Sequence, residues 1–322
     1  MGRESIQSST TTVASRGRAG RDALESRFAG DGLPLLLDGA TGTELERAGL
    51  HTGLPLWSTH ALIDAPDAVR DVHAAYVRAG AEIVTANTFR TQARTLERAG
   101  LPASEDLVLT RRAVELVREA IASEGAEPSS AAPGPWVAGS LPPLEDCYEP
   151  DRVPHPKSLD REHRRQVEVL GKAGVDLLLI ETMNAAREAS SAVDAAAASG
   201  LPFVVSFVSW RPGRLLSGDD LADAARHAID SGARAVGVNC VPPSSLAASL
   251  ECLAQTGLPL LVSPNLGEPN DATGFTRSES CDGEDFVAQL EAWLALPALR
   301  IVGGCCGTTP GHVAALARRL RD

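Results

Sequence analysis

The chain has 322 residues, 43% of them apolar and 22% charged, and 42 acidic side chains outnumber 30 basic ones to give a net charge of −12. Such a length suits one large domain or two small ones, and so acidic a chain offers no basic face to a phosphate backbone, which argues against nucleic-acid binding. No apolar run approaches the roughly 18–20 residues of a membrane span, and no signal sequence follows the first Met, so we expect a cytoplasmic protein.

Residues 1–28 are rich in Ser, Thr, Arg and Gly and show almost no apolar periodicity. This composition predicts a disordered N-terminal extension. A transit peptide shares the Arg and Ser content, but the acidic residues Glu4, Asp22 and Glu25 count against it. We therefore expect a single folded domain over residues 29–322.

From residue 33 onward, predicted strands alternate with predicted helices. Continuous apolar runs indicate strands buried on both faces, at 33–39, 81–87, 135–140, 176–182, 203–209, 235–240, 259–265 and 299–306. Helical patterns occur at 66–79, 108–123, 162–173, 186–198, 219–231, 244–255, 284–295 and 310–321. Five of these helices stop at a glycine suited to the left-handed C′ position, namely Gly80, Gly174, Gly200, Gly232 and Gly257.

Eight strand–helix units predict a (β/α)8 barrel, an α/β fold whose typical length is ~250 residues. A doubly wound open sheet is the alternative. That fold usually has fewer strands and a glycine-rich phosphate-binding turn after the first one, and no GxGxxG motif occurs in this chain.

Three of the six cysteines stand at the ends of predicted strands: Cys240 ends the sixth, and Cys305 and Cys306 end the eighth. Six cysteines are too few for a disulfide scaffold, and a reducing compartment would keep them as thiols. Active sites of barrels lie where strands end, and three thiolates plus one exchangeable position form the ligand set of a catalytic zinc site. We therefore expect these cysteines to bind Zn²⁺. Cys252 instead fits a buried apolar role, and Cys147 is a weaker candidate for the site.

Two carboxylates also stand at the ends of predicted strands, Asp38 in the first and Glu181 in the fourth. Together they offer acceptors for an ammonium group. The alternatives are a helix cap for Asp38 and a salt bridge for Glu181. Trp57 is suited either to a cation–π contact with a sulfonium or quaternary ammonium donor or to anchoring a loop.

The segments GVNC at 237–240 and GGCCGTTP at 303–310 resemble the homocysteine S-methyltransferase family, and the paired-cysteine motif is highly specific. The resemblance covers residues 29–322 in the order of the family. It continues in DGATGTELERAG at 38–49, PLWS at 55–58, TANTFRT at 85–91, AGSLPP at 138–143, GVDLLLIET at 174–182 and SPNLGE at 263–268.

The resemblance implies that the three strand-end cysteines are zinc thiolates and that Asp38 and Glu181 hold the amino group of homocysteine. It further implies that Gly139 and Ser140 receive the carboxylate of homocysteine. Asn265 is a candidate for contact with water or metal when no thiol is bound.

The expected reaction is zinc-dependent transfer of a methyl group from S-methylmethionine or S-adenosylmethionine to homocysteine, giving methionine. A free thiol has a pKa of about 8.5, and coordination to zinc deprotonates it. The partners are then a small thiol acceptor and a small methyl donor, while the residues leave the oligomeric state undetermined. The alternatives are another thiol or selenol acceptor, a donor from specialised metabolism, or a non-catalytic barrel that binds zinc or thiols, against which the carboxylate pair argues.

Three segments depart from the pattern of the family. The loop after the third strand reads LPPLEDCYEPDRVPHP, Ser263 stands where an aromatic residue is usual, and residues 266–282 lack an aromatic-rich stretch. Because these loops shape the pocket, the identity of the donor stays open.

Overall fold

The computed structural model describes residues 18–30, 32–128, 133–268, 276–277 and 281–322. Short runs of β-branched and aliphatic residues form its strands. In chain order these are β1 (Leu35–Leu36), β2 (Ile83–Ala86), β3 (Trp136–Leu141), β4 (Leu177–Met183), β5 (Phe203–Phe207), β6 (Val236–Asn239), β7 (Leu260–Ser263), β8 (Gly267–Glu268), β9 (Thr276–Arg277) and β10 (Leu299–Val302). Strands β8 and β9 pair antiparallel as a separate two-stranded sheet.

The other eight strands form one parallel sheet that closes on itself. Their order is β1-β10-β7-β6-β5-β4-β3-β2, and a parallel bridge between Leu37 and Ile83 joins β1 to β2. Backbone hydrogen bonds from Asp38 N to Ile83 O (3.0 Å) and from Glu82 N to Leu36 O (2.7 Å) complete this seam. The predicted (β/α)8 barrel is confirmed. The open-sheet alternative is wrong because β1 and β2, the two ends of the sheet order, pair with each other.

Helices surround the barrel. They are α1 (Arg18–Ala29), α2 (Thr41–Arg47), α3 (Thr59–Asp64), α4 (Pro66–Arg78), α5 (Ala93–Arg98), α6 (Asp106–Ser123), α7 (Pro156–Ala173), α8 (Ala186–Ser199), α9 (Leu221–Asp230), α10 (Pro243–Ala254), α11 (Gly283–Leu294) and α12 (Pro310–Arg321). All eight predicted helices are present, and the five predicted stop glycines have φ angles from 71° to 105°. The short helices α2, α3 and α5 were not predicted from the sequence.

The buried side chains form two main clusters because successive residues of a strand point to opposite faces. Those facing outward pack against the helices. Those facing inward fill the barrel, and they are Leu35, Leu37, Ile83, Trp136, Ala138, Leu177, Leu179, Val204, Ala235, Leu261 and Ile301.

Helix α1 covers the amino-terminal end of the barrel. Its side chains Leu24 and Phe28, which are 0% and 5% exposed, belong to the interior cluster. The backbone carbonyl of Gly20 accepts a hydrogen bond from the indole N–H of Trp136 (3.4 Å). The carboxylate of Glu25 pairs with the guanidinium of Arg234 (2.5 Å). The helix therefore seals one end of the barrel and leaves the carboxyl ends of the strands for a site.

The expectation of a disordered extension over residues 1–28 is wrong for residues 18–28, which belong to α1. Only a few apolar side chains anchor this helix, so its sequence is polar overall and lacks the periodicity of a longer amphipathic helix. Its stability comes from docking on the barrel rather than from its own composition. Residues 1–17 lie outside the described residues. Within the described part of the chain, no helix is long and apolar enough to cross a membrane.

Candidate active site

A pocket opens at the carboxyl ends of the barrel strands, where barrel enzymes carry their active sites. Nearly every strand contributes to it. Among its lining residues are Asp38 after β1, Thr85 and Asn87 at β2, Ser140 in β3, Glu181 and Thr182 in β4, Cys240 after β6, Ser263 in β7, and Cys305 and Cys306 after β10.

The three cysteines expected to bind metal meet at this pocket. The Sγ atoms of Cys240, Cys305 and Cys306 all lie within 4.8 Å of one another, an arrangement suited to holding one ion. Cys240 and Cys305 are in disulfide contact, whereas Cys306 is a free thiol. The small number of cysteines had predicted free thiols throughout. Three sulfurs that converge on one point are close enough either to share a metal ion or to pair with each other.

Local backbone geometry brings these sulfurs together. Cys240 follows β6 with a φ of 52°, which turns the chain sharply at the strand end. The N–H of Cys305 donates to the carbonyl of Pro264 (2.7 Å), tying the segment after β10 to the segment after β7. A Cβ at Gly303 would lie 2.7 Å from the Cβ of Leu37, so only glycine permits this close approach to β1.

The Cys306 thiol does not ionise readily by itself. Burial, followed by the negative charge of Glu181, raises the pKa of Cys306 to about 12. Ionisation of this thiol at neutral pH therefore needs a bound cation. Soft thiolate ligands in a three-sulfur set suit zinc, so the residues present fit the expected metal.

Asp38 is held by one residue of the neighbouring strand. The backbone N–H of Thr85 donates to Asp38 Oδ2 (2.7 Å), and the Thr85 hydroxyl donates to Oδ1 (2.9 Å). Burial, opposed by these bonds and aided by the charge of Glu181, raises the pKa of Asp38 to about 8. The helix-cap alternative for Asp38 is wrong, because the N-cap residue of α2 is Ala40.

Glu181 lies in the same pocket and accepts hydrogen bonds from side chains of two other strands, β3 and β6. The Ser140 hydroxyl donates to its Oε1, and the Asn239 amide donates to its Oε2 (3.3 Å). Burial raises the pKa of Glu181 to about 7. The salt-bridge alternative finds no support, because no described basic side chain forms an ion pair with Glu181 or with Asp38. An incoming ammonium group would therefore meet two carboxylates that have no cationic partner in the described part of the protein.

Asn239 organises this side of the pocket, a role that the sequence analysis missed although the residue belongs to the GVNC segment. Its amide oxygen accepts hydrogen bonds from Thr182 N (2.9 Å) and from the Ser206 hydroxyl (2.8 Å). Its amide nitrogen also donates to the Thr182 hydroxyl (2.9 Å). Asn239 thus fixes Thr182, which has a φ of 62°, and orients the neighbouring Glu181.

Of the remaining predicted site residues, Gly139, Ser140 and Asn265, only Ser140 lines the pocket. Ser140 is 1% exposed. Gly139 is turned away from the pocket, since a Cβ there would lie 2.8 Å from Leu170 of α7. Asn265 is fully buried outside the pocket lining, and its side-chain amide has no hydrogen-bond partner among the described residues. The expected roles of these three residues remain predictions.

The outer part of the pocket is aromatic. Trp57, with a φ of 47°, packs against Gly42 and meets the ring of Phe89 edge-on at 5.7 Å between centroids. The guanidinium carbon of Arg90 lies 5.3 Å from the centroid of Phe89. Trp57 therefore both anchors its loop and lines the pocket, and Phe89 and Arg90 are lining residues that the sequence analysis did not identify.

The loop after β3 also lines the pocket, through Asp146, Cys147 and Tyr148. Tyr148 stacks on Trp210 at 5.6 Å between ring centroids, and its hydroxyl donates to the carbonyl of Cys240 (3.5 Å). Burial raises the pKa of the Cys147 thiol well above its usual range. This loop departs from the family pattern in sequence, and it contacts Cys240 directly.

A family model described as homocysteine S-methyltransferase matches residues 35–320 of this chain. The chain belongs to the homocysteine S-methyltransferase family. The homocysteine S-methyltransferase of Escherichia coli K12 is 34% identical over 299 residues, which cover 88% of this chain and 94% of that relative. Homocysteine S-methyltransferase 4 of Zea mays is 32% identical over 307 residues, covering 89% of each chain. Selenocysteine methyltransferase of Astragalus bisulcatus is 30% identical over 316 residues, covering 90% of this chain and 93% of that relative.

Solved structures agree with this family assignment. The metallated form of the homocysteine methyltransferase MmuM from Escherichia coli superposes with a TM-score of 0.78 at 31% identity, covering 93% of this chain and 99% of that one. An oxidized form of the same protein superposes equally well. The family predicted from the cysteine motifs is confirmed, and this family includes a member solved with metal.

Proposed function

We propose that the protein is a zinc-dependent methyltransferase that makes methionine from homocysteine, with S-methylmethionine or S-adenosylmethionine as the methyl donor. The observation that carries the proposal is the meeting of three cysteine sulfurs within 4.8 Å of one another in the same pocket as the Asp38 and Glu181 carboxylates. A thiol-activating centre and an ammonium-binding pair are what an amino-acid thiol requires.

Cys240, Cys305 and Cys306 would hold the zinc ion and leave one coordination position for substrate. When bound, zinc supplies the positive charge that keeps the homocysteine sulfur deprotonated at neutral pH. The proton of the thiol leaves to solvent. A cytoplasmic location is part of the proposal, because a reducing compartment keeps the three cysteines available as thiolates.

The carboxylates of Asp38 and Glu181 would bind the ammonium group of homocysteine. An ammonium group between them favours their ionised forms and so lowers pKa values that burial raises to about 8 and about 7. Thr85 and Asn239 keep these carboxylates in place, and the hydroxyl of Ser140 lies beside them. Holding the amino acid by one end points its sulfur at the cysteines.

Methyl transfer then needs only alignment. The homocysteine sulfur attacks the methyl carbon of the donor, a new S–CH₃ bond forms, and the old bond to the sulfonium sulfur breaks. The electron pair of the old bond stays with the donor sulfur, which leaves as a neutral thioether. Fixing both sulfur atoms in line with the methyl group converts an encounter between two molecules into an effectively unimolecular step.

The direct test measures methionine formed from homocysteine with each donor, together with the metal content of the reduced protein. One zinc ion per chain and methionine from at least one sulfonium donor are expected. A zinc-loaded protein that forms no methionine from any donor would overturn the proposal in favour of a binding role.

A selenol acceptor is the second candidate. It is favoured by the similarity to the Astragalus bisulcatus protein and to a selenocysteine Se-methyltransferase of Brassica oleracea var. italica, which is 29% identical over 323 residues. Competition between homocysteine and selenocysteine in one reaction mixture gives the ratio of kcat/KM directly. A ratio above one for homocysteine supports the first candidate.

A further inference from the structure

The charged residues that line the described part of the pocket are unevenly distributed. Four are carboxylates, Asp38, Glu46, Asp146 and Glu181, and one is a cation, Arg90. Asp38 and Glu181 stand at strand ends with the cysteines, whereas Arg90 follows β2 by four residues and lies against Phe89 in the outer, aromatic part. The pocket therefore offers one positive group, outside the place proposed for the acceptor.

Arg90 is incompletely satisfied by the protein. Its Nη1 donates one long hydrogen bond to the carbonyl of Glu145 (3.4 Å), and its Nε is buried without a hydrogen-bond partner. No carboxylate among the described residues forms an ion pair with it. Leaving a buried N–H of a charged group unpaired is unfavourable. An acceptor supplied by a ligand would remove this cost.

Two arginines that follow Arg90 in the chain, Arg94 and Arg98, do have carboxylate partners. Arg94 pairs with the carboxylates of Glu145 (2.9 Å) and Glu162 (2.7 Å), and Arg98 also pairs with Glu145. Carboxylates thus lie close to Arg94 and Arg98 of α5, and they pair with these two arginines rather than with Arg90. The guanidinium of Arg90 remains available to the pocket.

We propose that Arg90 binds the α-carboxylate of the methyl donor and selects donors that carry one. This inference rests on the proposed function. A guanidinium presents a planar pair of N–H groups that matches the two oxygens of a carboxylate. Both proposed donors carry a carboxylate as well as a sulfonium group, and the nearby Trp57 and Phe89 rings suit the sulfonium.

The test compares matched donors that differ only in the carboxylate. These are S-methylmethionine and (3-aminopropyl)dimethylsulfonium or, if S-adenosylmethionine is the productive donor, that molecule and its decarboxylated form. In the wild type we expect kcat/KM to be about 10- to 100-fold higher for the carboxylate donor, the size typical of a hydrogen bond to a charged group. In Arg90→Gln this preference should fall to within about 2-fold, and Arg90→Lys should restore part of it.

Arg98→Gln is the matched control, because it removes a cation that also contacts Glu145 but does not line the pocket. We expect it to keep the wild-type preference, and we expect the KM for homocysteine to stay unchanged in all variants. Equal losses with both donors in Arg90→Gln, the same loss in Arg98→Gln, or a rise in the KM for homocysteine alone would overturn the assignment of Arg90.

The wild type also tests the inference without any variant. If it uses both donors of a pair equally well, Arg90 does not select for a carboxylate, and the proposed function stands. If it forms no methionine with any donor, the proposed function fails and this inference fails with it. The two failures are therefore distinguishable.

Discussion

The amide nitrogen of Asn239 lies 3.3 Å from Oε2 of Glu181, and its amide oxygen accepts the backbone N–H of the next residue, Thr182. One side chain from β6 thus holds both the carboxylate and the backbone of β4. Glu181 and the cysteine that follows Asn239 in the chain are therefore linked across the barrel, although β5 lies between β4 and β6 in the sheet.

Replacing Asn239 with Ala should weaken homocysteine binding without removing metal. The variant leaves a buried N–H of Thr182 unpaired, which costs about 1–3 kcal/mol, and Glu181 loses an orienting bond. We expect roughly a 10-fold rise in the KM for homocysteine, measured by steady-state kinetics. Ser206→Ala is the control, since Ser206 contacts the same amide oxygen but not Glu181. An unchanged KM in Asn239→Ala would contradict this role.

Cys306→Ala should lose metal and activity together. This variant removes one of the three sulfurs that converge on the pocket. Because an unactivated thiol is mostly protonated at neutral pH, we expect methionine formation to fall by about 100-fold or more. Metal content is measured by mass spectrometry on the same samples. Cys252→Ala, in α10 and away from the pocket lining, should retain both metal and activity. Full activity in metal-free Cys306→Ala would refute the metal's role.

The stability of the reduced, metal-free protein should fall as pH rises from about 5 to 7.5. Glu181 has a folded-state pKa of about 7, whereas a Glu side chain in the unfolded chain has a pKa of about 4.3. Between these values the folded state binds more protons than the unfolded state, so raising the pH favours unfolding. Glu181→Gln removes this titration. At pH 8 we expect the variant to be more stable than wild type by on the order of 2 kcal/mol, measured by denaturant titration.

The same pair of proteins should differ little at pH 4.5, where Glu181 is protonated in the folded state. Asp38 remains in both proteins, but its downward slope should be smaller in Glu181→Gln, because the charge of Glu181 helps to raise the pKa of Asp38. A stability difference that is constant across this pH range would show that the effect of Glu181→Gln comes from packing rather than from titration.

Helix α1 should contribute measurably to the stability of the barrel. Phe28→Ala removes a ring that is 5% exposed in the interior cluster. Such truncations cost about 3–5 kcal/mol. The free energy of unfolding from denaturant titration checks this value. Leu33→Ala, at a side chain that is 58% exposed, is the control and should change stability by less than about 0.5 kcal/mol. Equal stabilities of the two variants would mean that α1 does not anchor the fold.

Local patterns in the chain were sufficient to predict the barrel and the positions of the three cysteines at its strand ends. Apolar runs mark the strands because both faces of a parallel strand are buried, and glycines mark helix ends because few other residues adopt a positive φ. The convergence of the three cysteines with Asp38 and Glu181 could be predicted for the same reason, since each stands at or near the end of a recognisable strand and the strand ends of a barrel converge.

Only the tertiary structure decided the contacts between distant segments. Helix α1 is polar in sequence and orders because the barrel buries Leu24 and Phe28. Asn239 contacts Glu181 across 58 positions of the chain. Arg90 has no carboxylate partner among the described residues, because the nearby carboxylates pair with Arg94 and Arg98. The sequence by itself determined which residues reach the mouth of the barrel. Which of them lack a partner there depends on side-chain packing between strands and loops that no local pattern encodes.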